Sequence, residues 1–320
     1  MKSLRNQRRI RLVALLAGLA MTAVACGDDD GGGGGGSGEL SGETFTVGSK
    51  EFTEQKIVGQ MAIQVLENAG ATVNDQTGLT GTETVRTALT SGEIDMYWEY
   101  TGTGWTSHLG HLATEGPDDA EELFNQVAEE DMTNDVHWFA MAPFENTYAI
   151  ATTSERAEDL GVSTLSDYAE LANRDSGEAS LCAATEFLTR EDGWLGVEKE
   201  YGFDLPNSDI SEVDLGIVFT QVPEGGQCNF GEVFSTDGRI PANDMTLLED
   251  DKGFFVKYNL AMTARAEVFE QNPELEDIFA PLAEALTTET MQELNAQVDA
   301  EGLPPEQVAE AWLEDNGFLD

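Results

Sequence analysis

Phe45-Thr46-Val47-Gly48-Ser49-Lys50-Glu51-Phe52-Thr53-Glu54-Gln55 opens with an extended apolar-polar run, and Ile57-Val58, Met61-Ala62 and Val65-Leu66 then recur at helical spacing until Gly70 stops them. Strand followed by helix is the building unit of an α/β chain. The alternation continues outward. A helix is expected over Thr82 to Ser91, feeding through Gly92 into a strand from Ile94 to Tyr100, and Pro117 is expected to start a helix whose buried side holds Leu123, Phe124, Val127 and Ala128. Asn146-Thr147-Tyr148-Ala149-Ile150-Ala151 reads as an extended crossing into a second block. That block holds a helix opened by Thr164 with Asp167 three residues on, a strand around Ser180 to Ala183, a helix from Glu191 to Tyr201 and a strand from Leu215 to Phe219. The chain returns through Phe254 to Met262, after which Ala266 to Leu286, Thr290 to Asp299 and Pro305 to Glu314 read as helices, with Gly302 and Gly317 as stops.

A body running from Thr44 to Asp320 is too long for one core of ordinary size. Two crossings and a lobe interrupted in sequence imply a two-lobe α/β clamshell, with lobe I from 44 to 149 plus 257 to 320 and lobe II from 150 to 256.

Ahead of this body, Lys2, Arg5, Arg8, Arg9 and Arg11 precede an uncharged apolar run from Leu12 to Ala25, the layout of a secretory signal. The run is shorter than the roughly 20 residues a spanning helix needs. It ends Ala23-Val24-Ala25-Cys26, which resembles the lipobox of a bacterial lipoprotein, so residues 1–25 are read as a lipoprotein signal peptide and Cys26 as the lipidated first mature residue. Residues 26–43, with Asp28 to Asp30 and Gly31 to Gly36, have nothing apolar to bury and read as a flexible tether.

The chain carries 61 acidic against 16 basic residues, a net charge of −45. Such a charge excludes nucleic acid as a partner. With 40% hydrophobic residues there is still a core to bury, so the acids are assigned to a solvated surface. Besides Cys26 there are Cys182 and Cys228; in an exported chain they are expected to pair.

Two stretches carry the functional reading: Val47 to Gln55, with Gly48-Ser49-Lys50, and Glu93 to Trp105, with Glu99-Tyr100-Thr101-Gly102-Thr103-Gly104. They resemble the start of the extracytoplasmic binding proteins that feed glycine betaine, choline and related osmoprotectants to ABC importers, the OpuAC-like family, and the likeness continues to the C-terminus. The resemblance implies a type II periplasmic-binding-protein fold, no enzymatic activity, no cofactor, and partners in an ABC permease and its ATPase subunits.

It also implies a site. A quaternary ammonium has no N–H to donate, so aromatic faces satisfy both its charge and its methyls. The cage positions of the family fall on Tyr100, on Tyr148 of Asn-Thr-Tyr-Ala, on Phe234 before Ser235-Thr236-Asp237-Gly238, and on Tyr258, with the backbone of Asn146 facing the cation. Phe234 departs from the expected tyrosine and loses a hydroxyl. The ligand carboxylate falls to Lys50, Thr103 and Arg190, the last in Glu186 to Gly193; a guanidinium fork and an ammonium suit that anion. With basic residues this scarce, two in one site favour a betaine over choline. Thr220 to Gly231 reads as an insertion.

His108 and His111 stand three apart, yet two histidines fall short of a zinc site, and no Gly-x-Ser-x-Gly elbow occurs. Competing readings are a choline- or carnitine-preferring carrier, a secreted hydrolase, and an adhesive or signalling lipoprotein.

The charge generates a test. Self-repulsion at −45 opposes compaction unless screened, and the Debye length falls to about 3 Å at 1 M salt. The melting temperature is expected to climb steeply from low to molar KCl; a flat response would remove the idea of a salt-adapted surface.

Overall fold

The computed structural model describes residues 38–319. The expected signal peptide, most of the tether and Cys26 lie outside the described residues. Among the described residues the strands are β1 (Thr44–Lys50), β2 (Thr72–Leu79), β3 (Met96–Tyr100), β4 (Val136–Glu145), β5 (Tyr148–Thr153), β6 (Leu181–Ala183), β7 (Ile210–Glu212), β8 (Phe230–Phe234), β9 (Met245–Leu247) and β10 (Asn259–Arg265). They form two five-stranded sheets, ordered β2-β1-β3-β10-β4 and β7-β6-β8-β5-β9. In each sheet parallel strands meet one antiparallel strand, β10 in the first and β5 in the second, and both of these lie beside a crossing of the chain. The chain leaves the first sheet after Glu145, enters the second at Tyr148, and returns to the first at Asn259. This is the two-lobe clamshell.

β3 is buried along its whole length, as a central strand flanked on both faces must be. The helix Thr53–Asn68 lays Ile57, Val58, Met61, Ala62, Val65 and Leu66 onto the first sheet. Helix Leu165–Arg174 begins with the expected capping box, in which Thr164 and Asp167 satisfy one another's backbone N–H groups.

Several local readings are corrected. Leu215–Gln221 is a helix, not a strand. Its β-prone residues Ile217, Val218 and Phe219 are used on one face only: Val218 and Phe219 are buried, whereas Ile217 is 45% exposed. The helix lies against β8 at Gly231, where an added Cβ would come within 2.2 Å of Val218. Tertiary packing overrides strand propensity here. The helix after Pro117 starts at Ala120, because the Asp119 side chain accepts the Glu122 N–H and makes the cap. The long C-terminal helix divides into Ala266–Gln271 and Leu275–Ala285, as Pro273 bars helical backbone at the residue before it.

Cys182 on β6 and Cys228 at the approach to β8 are joined by a disulfide. It ties the Thr220 to Gly231 segment to β6, an inner strand of the second sheet. For a separation of 46 residues, loop-closure entropy gives about 4 kcal/mol, commonly less in practice. Serine at both positions, or added reductant, is expected to lower the urea midpoint of unfolding; an unchanged midpoint would show that packing alone holds this sheet.

Candidate functional site

Lys50 ends β1, Tyr100 ends β3, and Thr103 lies in the first turn of the helical stretch that follows, which runs on as a π-helix over Gly104–His108. Asn146 lies in the link between β4 and β5, Tyr148 opens β5, Arg190 follows the helix Thr185–Thr189, Phe234 ends β8 and Tyr258 precedes β10. These eight residues, all anticipated from sequence, line one cavity of about 70 Å³. It adjoins a wider cleft of about 630 Å³ that shares Glu51, Phe52, Asn146, Glu186, Glu232 and Phe234 with it. Strand ends of both sheets converge here, the place where open α/β sheets bind ligands.

The aromatic side is a chain of five rings. Tyr148 and Phe234 are cross-strand partners in the β5–β8 ladder, which sets their centroids 5.3 Å apart. Tyr258 meets Tyr148 edge-on at 6.0 Å. The fifth ring, Phe52, was missed by sequence reasoning although it stands two residues from Lys50. It lies 4.9 Å from Phe234 and 6.2 Å from Tyr100, closing the gap between the two sheets. Gly102 has a packing reason: a Cβ there would come within 2.6 Å of the Tyr258 ring, and one at Gly104 within 2.8 Å of Trp138. These glycines make room for rings.

The cations come with their own anions. Lys50 Nζ donates to Glu99 Oε1 at 2.6 Å. The Arg190 guanidinium donates Nε to Asp192 Oδ1 at 2.7 Å and Nη1 to Glu186 Oε1 at 3.0 Å, and it lies 5.7 Å from the Tyr148 ring centroid. Burial opposes ionisation of all three carboxyls. Even so, Lys50 and His108 hold Glu99 well below the usual carboxylate range, Arg190 holds Asp192 low, and Lys50, Thr82 and Arg190 hold Glu186 low. The site therefore offers two cations already balanced by three ionised carboxylates. His108 serves this network, with Nε2 3.1 Å from Glu99, while His111 stands apart against Glu130 and Trp105.

Glu54, from the same motif as Lys50, was also missed. It is 2% exposed and no cation contacts it among the described residues. Its Oε1 accepts the Tyr100 hydroxyl at 2.7 Å and the Asn146 amide at 2.8 Å; its Oε2 accepts the Thr236 hydroxyl at 2.6 Å and the Asn295 amide at 3.1 Å. Burial raises its pKa against the pull of these four donors. A single carboxyl thus joins a ring of the first sheet, the crossing segment, and the turn after β8 of the second.

A family described as "Substrate binding domain of ABC-type glycine betaine transport system" matches residues 43–315. A protein of Pseudomonas aeruginosa named "Glycine-betaine-binding protein" is 36% identical over 291 residues, 89% of this chain and 91% of that one. "Glycine betaine-binding protein YehZ" of Escherichia coli is 31% identical over 278 residues, 85% of this chain and 90% of that one. Among solved structures, "Crystal structure of glycine betaine/carnitine/choline ABC transporter" superposes with a TM-score of 0.68 at 27% identity, covering 86% of this chain and all of the other.

The four-donor arrangement generates its own test. Glu54→Gln keeps the shape but turns one acceptor into a donor, leaving two buried donors facing an N–H₂ group. An orphaned buried donor costs roughly 1–3 kcal/mol. Denaturant unfolding is expected to show a loss of that size, and a variant as stable as the parent would mean that the four hydrogen bonds do not act together.

Proposed function

The chain belongs to the family of substrate-binding domains of ABC-type glycine betaine transport systems, and on that premise we propose that it captures glycine betaine or a close quaternary ammonium relative outside the cytoplasm and delivers it to an ABC permease. The observation that carries this reading is the convergence of Tyr100, Tyr148, Phe234, Tyr258 and Phe52 with Lys50, Thr103 and Arg190 around one small cavity.

The rings take the methylated nitrogen. Each face contributes about 0.5–2 kcal/mol depending on desolvation, so several together supply much of the roughly 8 kcal/mol that micromolar binding requires. Thr103, Lys50 and Arg190 take the carboxylate. Because the cavity draws on both sheets, a bound ligand bridges the lobes and favours closure, and the closed form is the one presented to the permease. The Tyr100 and Tyr258 hydroxyls are occupied by Glu54 and Asp192, which supports holding and release in preference to catalysis. Anchoring through a lipid on Cys26, with residues 26–43 as the tether, keeps the carrier beside its permease and the ATPase subunits.

A second reading has an observation of its own. Since Glu99, Asp192 and Glu186 already balance Lys50 and Arg190, a ligand without a carboxylate leaves no cation unpaired, which supports a choline-preferring carrier.

Titration calorimetry with glycine betaine, choline, carnitine, proline betaine and amino acids separates these readings. Quaternary compounds are expected to bind and amino acids not. Arg190→Ala, which also frees two anions beside the rings, is expected to weaken glycine betaine while sparing choline. Tyr148→Ala is expected to cost every quaternary ligand about 1–2 kcal/mol. Equal loss of betaine and choline on removing Arg190 would count against the carboxylate assignment.

A further inference from the structure

Glu232 lies on β8 two residues before Phe234, so strand alternation puts its side chain on the same face as that ring. It lines both the small cavity and the wider cleft, yet is only 1% exposed. Its Oε2 accepts the Ala184 N–H at 2.7 Å; among the described residues no other donor reaches the carboxyl and no cation pairs with it. The nearby guanidinium of Arg190 is committed to Asp192 and Glu186.

A buried carboxyl with one backbone donor and no counter-ion is more stable neutral than charged. Burial accordingly pushes Glu232 up to about 8, with repulsion from Glu186 adding to it and the Ala184 hydrogen bond and Arg190 opposing it. Neutral Glu232 carries one O–H, and with Oε2 turned to Ala184 that proton is left for the cavity the residue lines, with no side-chain partner for the carboxyl among the described residues. Lys50 and Arg190 have carboxylates already, so Glu232 offers the cavity a donor no internal anion has claimed.

We infer that Glu232 is a ligand-binding group which, as a neutral acid, donates its O–H to the carboxylate of a zwitterionic quaternary ammonium ligand while its other oxygen accepts from Ala184. The inference rests on the proposed betaine-type ligand. It makes selectivity depend on protonation. Below the pKa the acid favours a ligand carboxylate; above it the same group repels that carboxylate and attracts the ammonium. Glu186 and Arg190 are the charges that act on it, and the other ionisable groups lining the same two cavities are Tyr148 from β5, Asp214 before the Leu215–Gln221 helix, Asp237 and Arg239 after β8, Asp299 near the C-terminus, and Lys50, Glu51, Glu54, Tyr100 and Tyr258 from the first-sheet side. Of these, Glu186 is held low, and burial pushes all three tyrosines well above their ordinary value.

The test is calorimetry on the full chain with glycine betaine and choline at about pH 6.5 and about pH 9.5. In the parent, the preference for glycine betaine over choline is expected to fall about tenfold or more between the two. Glu232→Gln, whose amide can donate to a carboxylate and accept from Ala184, should bind glycine betaine within a few-fold of the parent at the lower pH and lose the pH dependence. Glu232→Ala should lose glycine betaine about tenfold while choline changes little. A flat preference in the parent, or a Gln variant as weak for glycine betaine as the Ala variant, overturns the inference. If both ligands bind and only the pH response is missing, the proposed function stands and this inference falls; if neither binds, both fall.

Discussion

An ammonium and a guanidinium cannot lie between two apolar sheets unless anions accompany them, and that requirement organises the whole cleft. Lys50 sits on Glu99, and Arg190 sits on Asp192 and Glu186. These partners come from different elements: Glu99 from the central strand β3, Asp192 and Glu186 from either side of Arg190 itself. Asp192 also accepts the Tyr258 and Thr106 hydroxyls, so the anion that neutralises Arg190 fixes one of the five rings and reaches the first lobe as well. Glu54 does the same on the opposite wall for Tyr100, Asn146 and Thr236. The ring geometry is thus held by buried carboxylates, each satisfied by several donors.

This changes how charge works in the site. Cations with bound partners project less field into the cavity than free ones, and the cavity as a whole leans negative. On the function proposed here, a ligand's positive end would gain both from ring faces and from that balance, whereas its negative end would compete for donors. Thr103 and the neutral acid assigned to Glu232 are groups through which the competition can be met without adding net positive charge. On that proposal, discrimination between zwitterionic and purely cationic ligands would turn on hydrogen-bond donors more than on opposite charge.

Much of this was legible in the chain. The motif residues Lys50, Tyr100, Thr103, Asn146, Tyr148, Arg190, Phe234 and Tyr258 do meet in one cavity, because each sits at a strand end or a crossing that local patterning already marked. Phe52 and Glu54 were within the quoted motif and could have been found; what hid them was that a phenylalanine and a glutamate beside a helix start look like a packing residue and a first-turn acid. Glu186 and Glu232 were hidden for another reason. Among 61 acidic residues, nothing in a linear sequence separates a carboxyl buried beside the cavity from one in water.

The α/β alternation, the two crossings, the family and eight of the residues that line the small cavity could be read from the chain alone, because periodicity, capping and motif order are local properties carried by neighbours along it. Only the tertiary structure decided that Leu215–Gln221 is helical, that Gly102 yields space to Tyr258, and that Lys50 and Arg190 arrive already paired. Those outcomes depend on which distant atoms share a dry volume, and burial, pairing and protonation are settled there.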